Sequence, residues 1–426
     1  LGFLIDLGRN YGAISYTSLV RTPVYMLTSP ELIDEVLIGK HRDCIKDAGT
    51  RELIPLVGHG LLTAEGEAWR DQRKLASPPL QPKRIASYAE TMVACAAREL
   101  AAFKDGERRD LHEDMMRLTL EIVDKTLLGL DASAECERIA RILEVTMAYV
   151  DKQLRTFQGL LPLFIPTPSR YRFRKALAEL DAIVYRMIAR CKSQGANAEN
   201  LLARLVHARD EDGKAMTDVQ LRDEAVTMLL AGHETSAIAL SYAAYLLSKN
   251  QAAAVRLRAE IDGQLAERPA RMDDLPKLPY LNAVVRETLR LYPPAYVIGR
   301  EVLRDFELGG YVIPKGSQVM MCPYVVQRDA RLFAEPDRFN PERWLDPAID
   351  ALPRFAYFPF GGGPRVCIGN HFAMMELALV LSVIVQQVEL EVAPGFQLEL
   401  EPIVTLRPAS GVPVIVHRRK RAQTAA

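Results

Sequence analysis

Hydrophobic positions along this chain recur mostly at helical spacing, and the longest such pattern runs from about Asp218 to Ser248. Thr217 and Gln220 open it in the Ser/Thr-x-x-Glu/Gln arrangement that satisfies free N–H groups at a helix start. Roughly thirty residues, at about 1.5 Å each, would carry this helix across a whole molecule. Helical patterning covers residues from about Lys83 to Asn250, with the proline-broken apolar stretch Gly159 to Pro168 separating two of the helices. Another helix, Tyr280 to Tyr292, is stopped by Pro293-Pro294, because proline disfavours helical geometry in the residue before it. Shorter helices are expected around Trp69 and Arg73, after the Gly-rich loop Gly58-His59-Gly60-Leu61-Leu62, and from about His371 onward.

Strand-like alternation is confined to the two ends. Val24 to Leu27 comes first, followed by a short helix from Pro30 to Gly39. Phe306 to Leu308, Tyr311 to Ile313 and Val319 to Met321 follow late in the chain, with a hairpin-like region over Gln397 to His417. The pattern predicts a mainly α protein with small β-sheets, of the α+β class. With no linker, repeat or low-complexity tract, residues 1–426 read as a single domain. Its β-rich parts, at about 1–60 and 295–426, would flank an α-rich body at about 65–293.

Composition changes this picture little. Of 426 residues, 49% are hydrophobic and 25% charged, as in an ordinary soluble globular protein. The net charge of +0 and a pI near 7.2 give no sign of a nucleic-acid partner. The basic stretch His417 to Arg421 is short and reads as a solvated terminus. No run of 18 apolar residues is present, so no transmembrane helix is expected, and a soluble, cytoplasmic protein is. The chain begins at Leu1 rather than Met, which leaves room for an upstream segment, a membrane anchor among the options.

Cysteine placement does change it. The six cysteines, at 44, 95, 136, 191, 322 and 367, show no close spacing, which speaks against a disulfide framework, a zinc site or an iron–sulfur cluster. Five read as small core hydrophobes. Cys367 differs: it lies in FPFGGGPRVCIGN, Phe358 to Asn370, behind three glycines, a proline and an arginine, just ahead of an apolar helix. A tight turn with the cysteine as filler is one reading. The other starts from Gly361, Gly362 and Gly363, which let the chain fold sharply against a flat object, and from a helix start that favours thiolate. A lone thiolate of this kind suits a fifth ligand to a metal whose other four ligands come from a macrocycle.

Phe360, Gly363, Arg365, Cys367 and Gly369 fill every position of a pattern that resembles the haem-binding signature of the cytochrome P450 family. The resemblance implies a P450 fold with haem b between the long central helix and the cysteine-loop helix, Cys367 as axial ligand, and no metal other than haem iron. Glu287 and Arg290 match the family's Glu-x-x-Arg helix, and Pro341-Glu342-Arg343-Trp344 its second element, so a buried triad of Glu287, Arg290 and Arg343 is implied. Ala231-Gly232-His233-Glu234-Thr235 is similar to the oxygen-activation motif, with Glu234 and Thr235 as proton-delivery pair. The mid-helix Gly232 has either a packing reason or a local widening that exposes a carbonyl. Trp69 and Arg73 share a helix face and, with Arg300 and Arg365, match haem-propionate partners. Gln327 and Trp344 depart from the commoner histidine and phenylalanine. The resemblance runs from about Leu1 to Arg418.

It implies a haem-thiolate monooxygenase that inserts one atom of O2 into an apolar small molecule such as a fatty acid, terpenoid or steroid. The chain carries no nicotinamide or flavin fingerprint, so electrons from NAD(P)H would arrive through a ferredoxin or flavodoxin-type partner. Arg70, Lys74 and Arg354 form either its docking patch or a set of ordinary solvated charges. Substrate-facing positions are expected at Leu53 to Leu62, at Ala231, Ala295, Tyr296 and Val297, and at Ser410 in the turn Ala409 to Gly411, with an entrance near Leu160 to Ile165. A peroxide-driven peroxygenase and a non-catalytic haem sensor are the competing classes; neither needs the Glu234-Thr235 pair.

Overall fold

The computed structural model describes residues 1–19, 21–129, 133–155, 167–194 and 200–419. Its axis is the helix Asp218–Lys249. The expected cap is present: the Thr217 hydroxyl accepts the Gln220 N–H at 3.3 Å, and the Gln220 side chain accepts the Thr217 N–H at 2.9 Å. This central helix is buried on most of its circumference rather than along one stripe, with an opening at Ala231, Gly232 and Thr235. The helices Leu111–Val123, Pro168–Gln194, Pro279–Leu291 and Asn370–Gln387 pack on it. Ala239, Leu240 and Ala243 meet Val285, Leu289, Leu377 and Leu381 in one apolar core.

The largest sheet has five strands. In spatial order these are Ile14–Leu19, Thr22–Leu27, Gln318–Met321, Ile298–Val302 and Cys44–Lys46. Thr22–Leu27 runs parallel to Gln318–Met321, and the other neighbours are antiparallel. In the last pair Lys46 lies directly opposite Arg300. A second sheet sets Pro413–Arg418 between Arg108–Asp110 and Val388–Val392. Two hairpins complete the β structure, Phe306–Leu308 with Tyr311–Ile313 and Leu400–Pro402 with Leu406–Pro408.

The helices expected at Tyr280 and His371 appear as Pro279–Leu291 and Asn370–Gln387. The single helix expected from Pro30 to Gly39 is an α-helix, Pro30–Asp34, running into a π-helix, Glu35–Gly39. The stretch 159–166, with the expected entrance at Leu160 to Ile165, lies outside the described residues. Cys44, Cys95, Cys191 and Cys322 are buried and unpaired, as small core residues should be, whereas Cys136, the fifth expected in the core, is only partly buried. Among the described residues no helix is long and apolar enough to cross a membrane.

Candidate functional site

The loop before the helix Asn370–Gln387 is a series of tight turns. The N–H of Gly361 donates to the Phe358 carbonyl at 2.9 Å, and the N–H of Cys367 to the Phe360 carbonyl at 2.9 Å. Gly361 and Gly363 adopt φ of +71° and +65°, conformations that favour glycine. A methyl group on Gly363 would lie 2.1 Å from the Leu37 carbonyl oxygen, and one on Gly362 would lie 2.1 Å from the Phe355 ring. Two of the three glycines therefore answer to the protein's own packing, which corrects the expectation that they clear space for a flat ligand. A methyl on Gly369 would meet the Cys367 sulfur at an ordinary 3.9 Å.

The Cys367 side chain is solvent-accessible, yet the protein crowded around it pushes the thiol pKa up. The Gly369 N–H and the charges of Arg73 and Lys46 pull the other way without overcoming this. The helix start thus acts in the expected direction, toward thiolate, and bonding to a metal would remove the proton outright.

Cations gather beside the sulfur. Trp69 and Arg73 share one face of the helix Gly66–Ala76, and among the described residues neither the indole N–H nor the Arg73 guanidinium has a hydrogen-bond partner. Arg300 is buried and donates only to its neighbour's carbonyl, Gly299, at 2.7 Å. Arg365 is different: it stacks 4.1 Å over Trp69, donates to the Ala64 carbonyl at 2.7 Å and is ion-paired with Glu65. Sequence reasoning missed Lys46. Its ammonium has no carboxylate within ion-pair distance among the described residues, and desolvation with Arg300 and Arg365 nearby pushes its pKa down to about 7. Like charges placed opposite one another on paired strands repel. This cluster therefore fits a planar dianion such as haem with its two propionates, held by Lys46, Arg73, Arg300 and Trp69, with Arg365 already committed to Glu65. The readable signal was the alternation Cys44-Ile45-Lys46, which puts Lys46 and Cys44 on one strand face.

Glu287 lies in the helix Pro279–Leu291 and is fully buried. Arg290 grips it in a bidentate pair at 2.8 and 2.9 Å, and Arg343 donates to it at 3.1 Å. The N–H of Asn340 and the indole N–H of Trp344 add bonds of 2.9 Å each. Arg290 spends its remaining donors on the carbonyls of Gln327, Pro336 and Arg338. The two departures from the family pattern prove structural. Trp344 supplies a donor that phenylalanine lacks. Gln327 donates to the Leu289 and Arg290 carbonyls while its oxygen accepts the Phe358 N–H at 2.9 Å. That side chain fastens the end of the Glu287 helix to the start of the cysteine loop.

On the central helix Gly232 opens no break: the helix is continuous, and a methyl there would sit 3.3 Å from Val123. The packing reason holds. Thr235 faces partly open space, as do Ala231 and Gly232, and its hydroxyl donates to the Ala231 carbonyl at 2.7 Å. Glu234, one position and about 100° around the helix, is buried and accepts the Thr405 hydroxyl at 2.9 Å. The acid and the alcohol are neighbours in sequence, each bonded elsewhere. Burial raises the Glu234 pKa, while Thr405 and Arg407 lower it.

Two expected pocket residues stand elsewhere. Tyr296 is buried, and its hydroxyl donates to the Ile403 carbonyl at 2.9 Å, so it anchors the second hairpin. Ser410 lies beyond the base of that hairpin, beside Gly411, where a methyl would strike the Asp110 carboxylate at 1.8 Å. The hairpin tip, Ile403 to Thr405, is the part that reaches the central helix. Val297 is partly buried against the Tyr296 cluster, and Ala295 is exposed. Arg70, Lys74 and Arg354 are exposed but each faces a carboxylate, Glu67, Glu211 and Asp34 respectively. They do not form a patch of uncompensated charge.

Residues 2–412 match the family model described as Cytochrome P450, and the chain belongs to that family. It is 35% identical to cyclooctatin synthase of Streptomyces melanosporofaciens over 95% of this chain and 89% of the relative. The cyclooctat-9-en-7-ol 5-monooxygenase of the same organism is 31% identical over 93% and 86%. Pentalenene oxygenase of Streptomyces avermitilis is 30% identical over 95% and 88%. The protein is accordingly an oxygen-incorporating oxidoreductase of the haem-dependent P450 type.

Proposed function

We propose that this P450 monooxygenase hydroxylates a terpenoid-like apolar substrate with O2, bonds haem iron through Cys367, and takes electrons from a separate ferredoxin or flavodoxin-type protein in the cytoplasm. The observation that carries the reading is the solvent-accessible Cys367 sulfur beside Lys46, Arg73 and Arg300, none of which makes an ion pair among the described residues. Two relatives named for cyclooctat-9-en-7-ol and pentalenene support the terpenoid class over fatty acids and steroids. The absence of a nicotinamide fingerprint from the sequence supports an external reductant.

Haem iron, when bound, supplies dioxygen activation and one-electron chemistry, which a cysteine sulfur favours by pushing electron density toward the metal. The protein's share is positioning and protons. Lys46, Arg73, Arg300 and Trp69 would hold the propionates, and the Glu287 cluster with Gln327 keeps the Cys367 loop in register. The Thr235 hydroxyl, by leaving the Ala231 carbonyl, would offer its proton toward the open side of the helix, and Glu234 would restore it.

The test is the absorption spectrum of the reduced, CO-bound protein, followed by a binding screen with cyclic terpenoid alcohols, fatty acids and steroids. A thiolate-type Soret band that Cys367→Ser abolishes, with spectral shifts confined to the terpenoids, is expected. A band that survives the substitution would overturn the ligand assignment, and tightest binding of fatty acids would overturn the substrate class.

A further inference from the structure

Among the described residues, Glu234 is held from outside the central helix by one element, the hairpin Leu400–Pro402 and Leu406–Pro408. That hairpin is pinned on its backbone at three points. The Tyr242 hydroxyl donates to the Leu406 carbonyl, the Leu406 N–H to the Pro294 carbonyl, and the Tyr296 hydroxyl to the Ile403 carbonyl, each at 2.9 Å. With the backbone fixed in this way, the Thr405 hydroxyl is delivered to the Glu234 carboxylate as a preset donor. Two residues on, Arg407 bonds Glu401 through Nε at 2.8 Å and reaches Asp151, on the helix Ser133–Arg155, at 3.3 Å. Arg407 is about one-third exposed, so this cluster reaches solvent at the guanidinium.

We propose that Thr405 and Arg407 are positioning residues for Glu234: the hydroxyl fixes where the carboxylate sits, and the guanidinium, balanced against Asp151, sets its charge state. This deepens the proton-delivery role proposed above and rests on it. A proton taken up by Glu234 from water at the Arg407–Asp151 side frees the carboxyl from Thr405. Given up to the Thr235 side, it leaves a carboxylate that returns to the Thr405 hydroxyl, so each cycle moves one proton and regenerates the starting bonds. Among the described residues, the charged groups facing this cluster are Arg407 and Glu401 on the hairpin and Asp151 on its helix, and the titratable His112 on the helix Leu111–Val123 faces Arg407 as a neutral imidazole. Burial holds the Glu234 pKa up; Thr405 and Arg407 work against it and Asp151 adds to it.

The test follows the Glu234 carboxyl stretch in infrared spectra of the resting holoprotein against pH, the band being assigned by its loss in Glu234→Gln. Thr405→Val and Arg407→Gln should each move the midpoint up by about one pH unit, tenfold in proton affinity. Thr405→Ser and Arg407→Lys should restore it, and Asp151→Asn should move it down. A role confined to packing would not reverse sign between Arg407 and Asp151. If Thr405→Val does not fold, the partly exposed Arg407 and Asp151 variants still decide. A midpoint unmoved in Arg407→Gln and Asp151→Asn overturns the proposal. The proton-delivery reading is judged separately, by product formed per electron in Glu234→Gln: wild-type coupling there would sink that reading while leaving the titration result standing.

Discussion

Trp344 shows how a single side chain can reinforce a buried charge. Glu287 has no solvent and accepts from Arg290, Arg343, Asn340 and Trp344, so the indole N–H is one of several donors that together replace water. Removing Glu287 would leave Arg290 buried without its counter-charge, at a cost of about 3–5 kcal/mol. Trp344→Phe keeps the ring near Phe333 and Tyr357 and removes only the donor. A hydrogen bond to a charged group is worth about 1.5–3 kcal/mol, and denaturant unfolding of Trp344→Phe should report a loss in that range. Unchanged stability would mean that the other donors already satisfy the carboxylate. The triad residues themselves were legible in the sequence because three of their positions sit in short, recognisable motifs. The partners of Trp344 and Gln327 were not, because each depends on how segments some thirty to sixty positions apart are brought together.

At the scale of elements, the cysteine loop is shaped by what lies behind it. Gly361 and Gly363 are both left-handed, but their surroundings differ. A methyl on Gly361 would reach only the Ile298 side chain at 3.4 Å, whereas one on Gly363 would collide with the backbone of the π-helix Glu35–Gly39. Gly361→Ala should therefore cost about 1–2 kcal/mol from backbone strain alone. Gly363→Ala should cost clearly more, because a main-chain oxygen cannot move aside as a side chain does. Thermal unfolding of the two variants compares them directly, and equal melting temperatures would refute the distinction. The helix spans, the capping box and the late strands were readable from periodicity and local signals. The hairpin-like region expected over Gln397 to His417 holds a shorter hairpin, Leu400–Pro402 with Leu406–Pro408, while Pro413–Arg418 joins another sheet, and the turn that meets the central helix carries Thr405 rather than Ser410. Turn composition marks where a chain reverses and says nothing about which end of the hairpin faces inward.

For the molecule as a whole, buried titratable groups set how stability depends on pH. Glu376, on the helix after Cys367, is fully buried, accepts the Ser236 hydroxyl, and has its pKa pushed up to about 8. Its folded pKa lies above the unfolded value, so the native state holds a proton that the unfolded chain releases. That contribution is complete at acid pH and is lost as pH rises toward about 8. The loss has a slope of at most about 1.4 kcal/mol per pH unit. Glu376→Gln, which stays neutral, should gain stability relative to wild type as pH rises through this window; a constant difference would mean Glu376 is ionised in the native protein. His112 and His233, pushed down to about 4 by burial, act in the opposite direction and cost stability as pH falls from about 6.5. None of these shifts could be read from the sequence, since each reflects burial between helices distant along the chain.

The parallel pairing of Thr22–Leu27 with Gln318–Met321 carries a consequence for biosynthesis. A strand made early waits for its neighbour until translation has passed Met321, and long-range closure of this kind is slow. During that interval the nascent polypeptide exposes an apolar edge on the ribosome. Yield in cells should accordingly respond to the supply of chaperones and to growth temperature more than to changes on the finished surface.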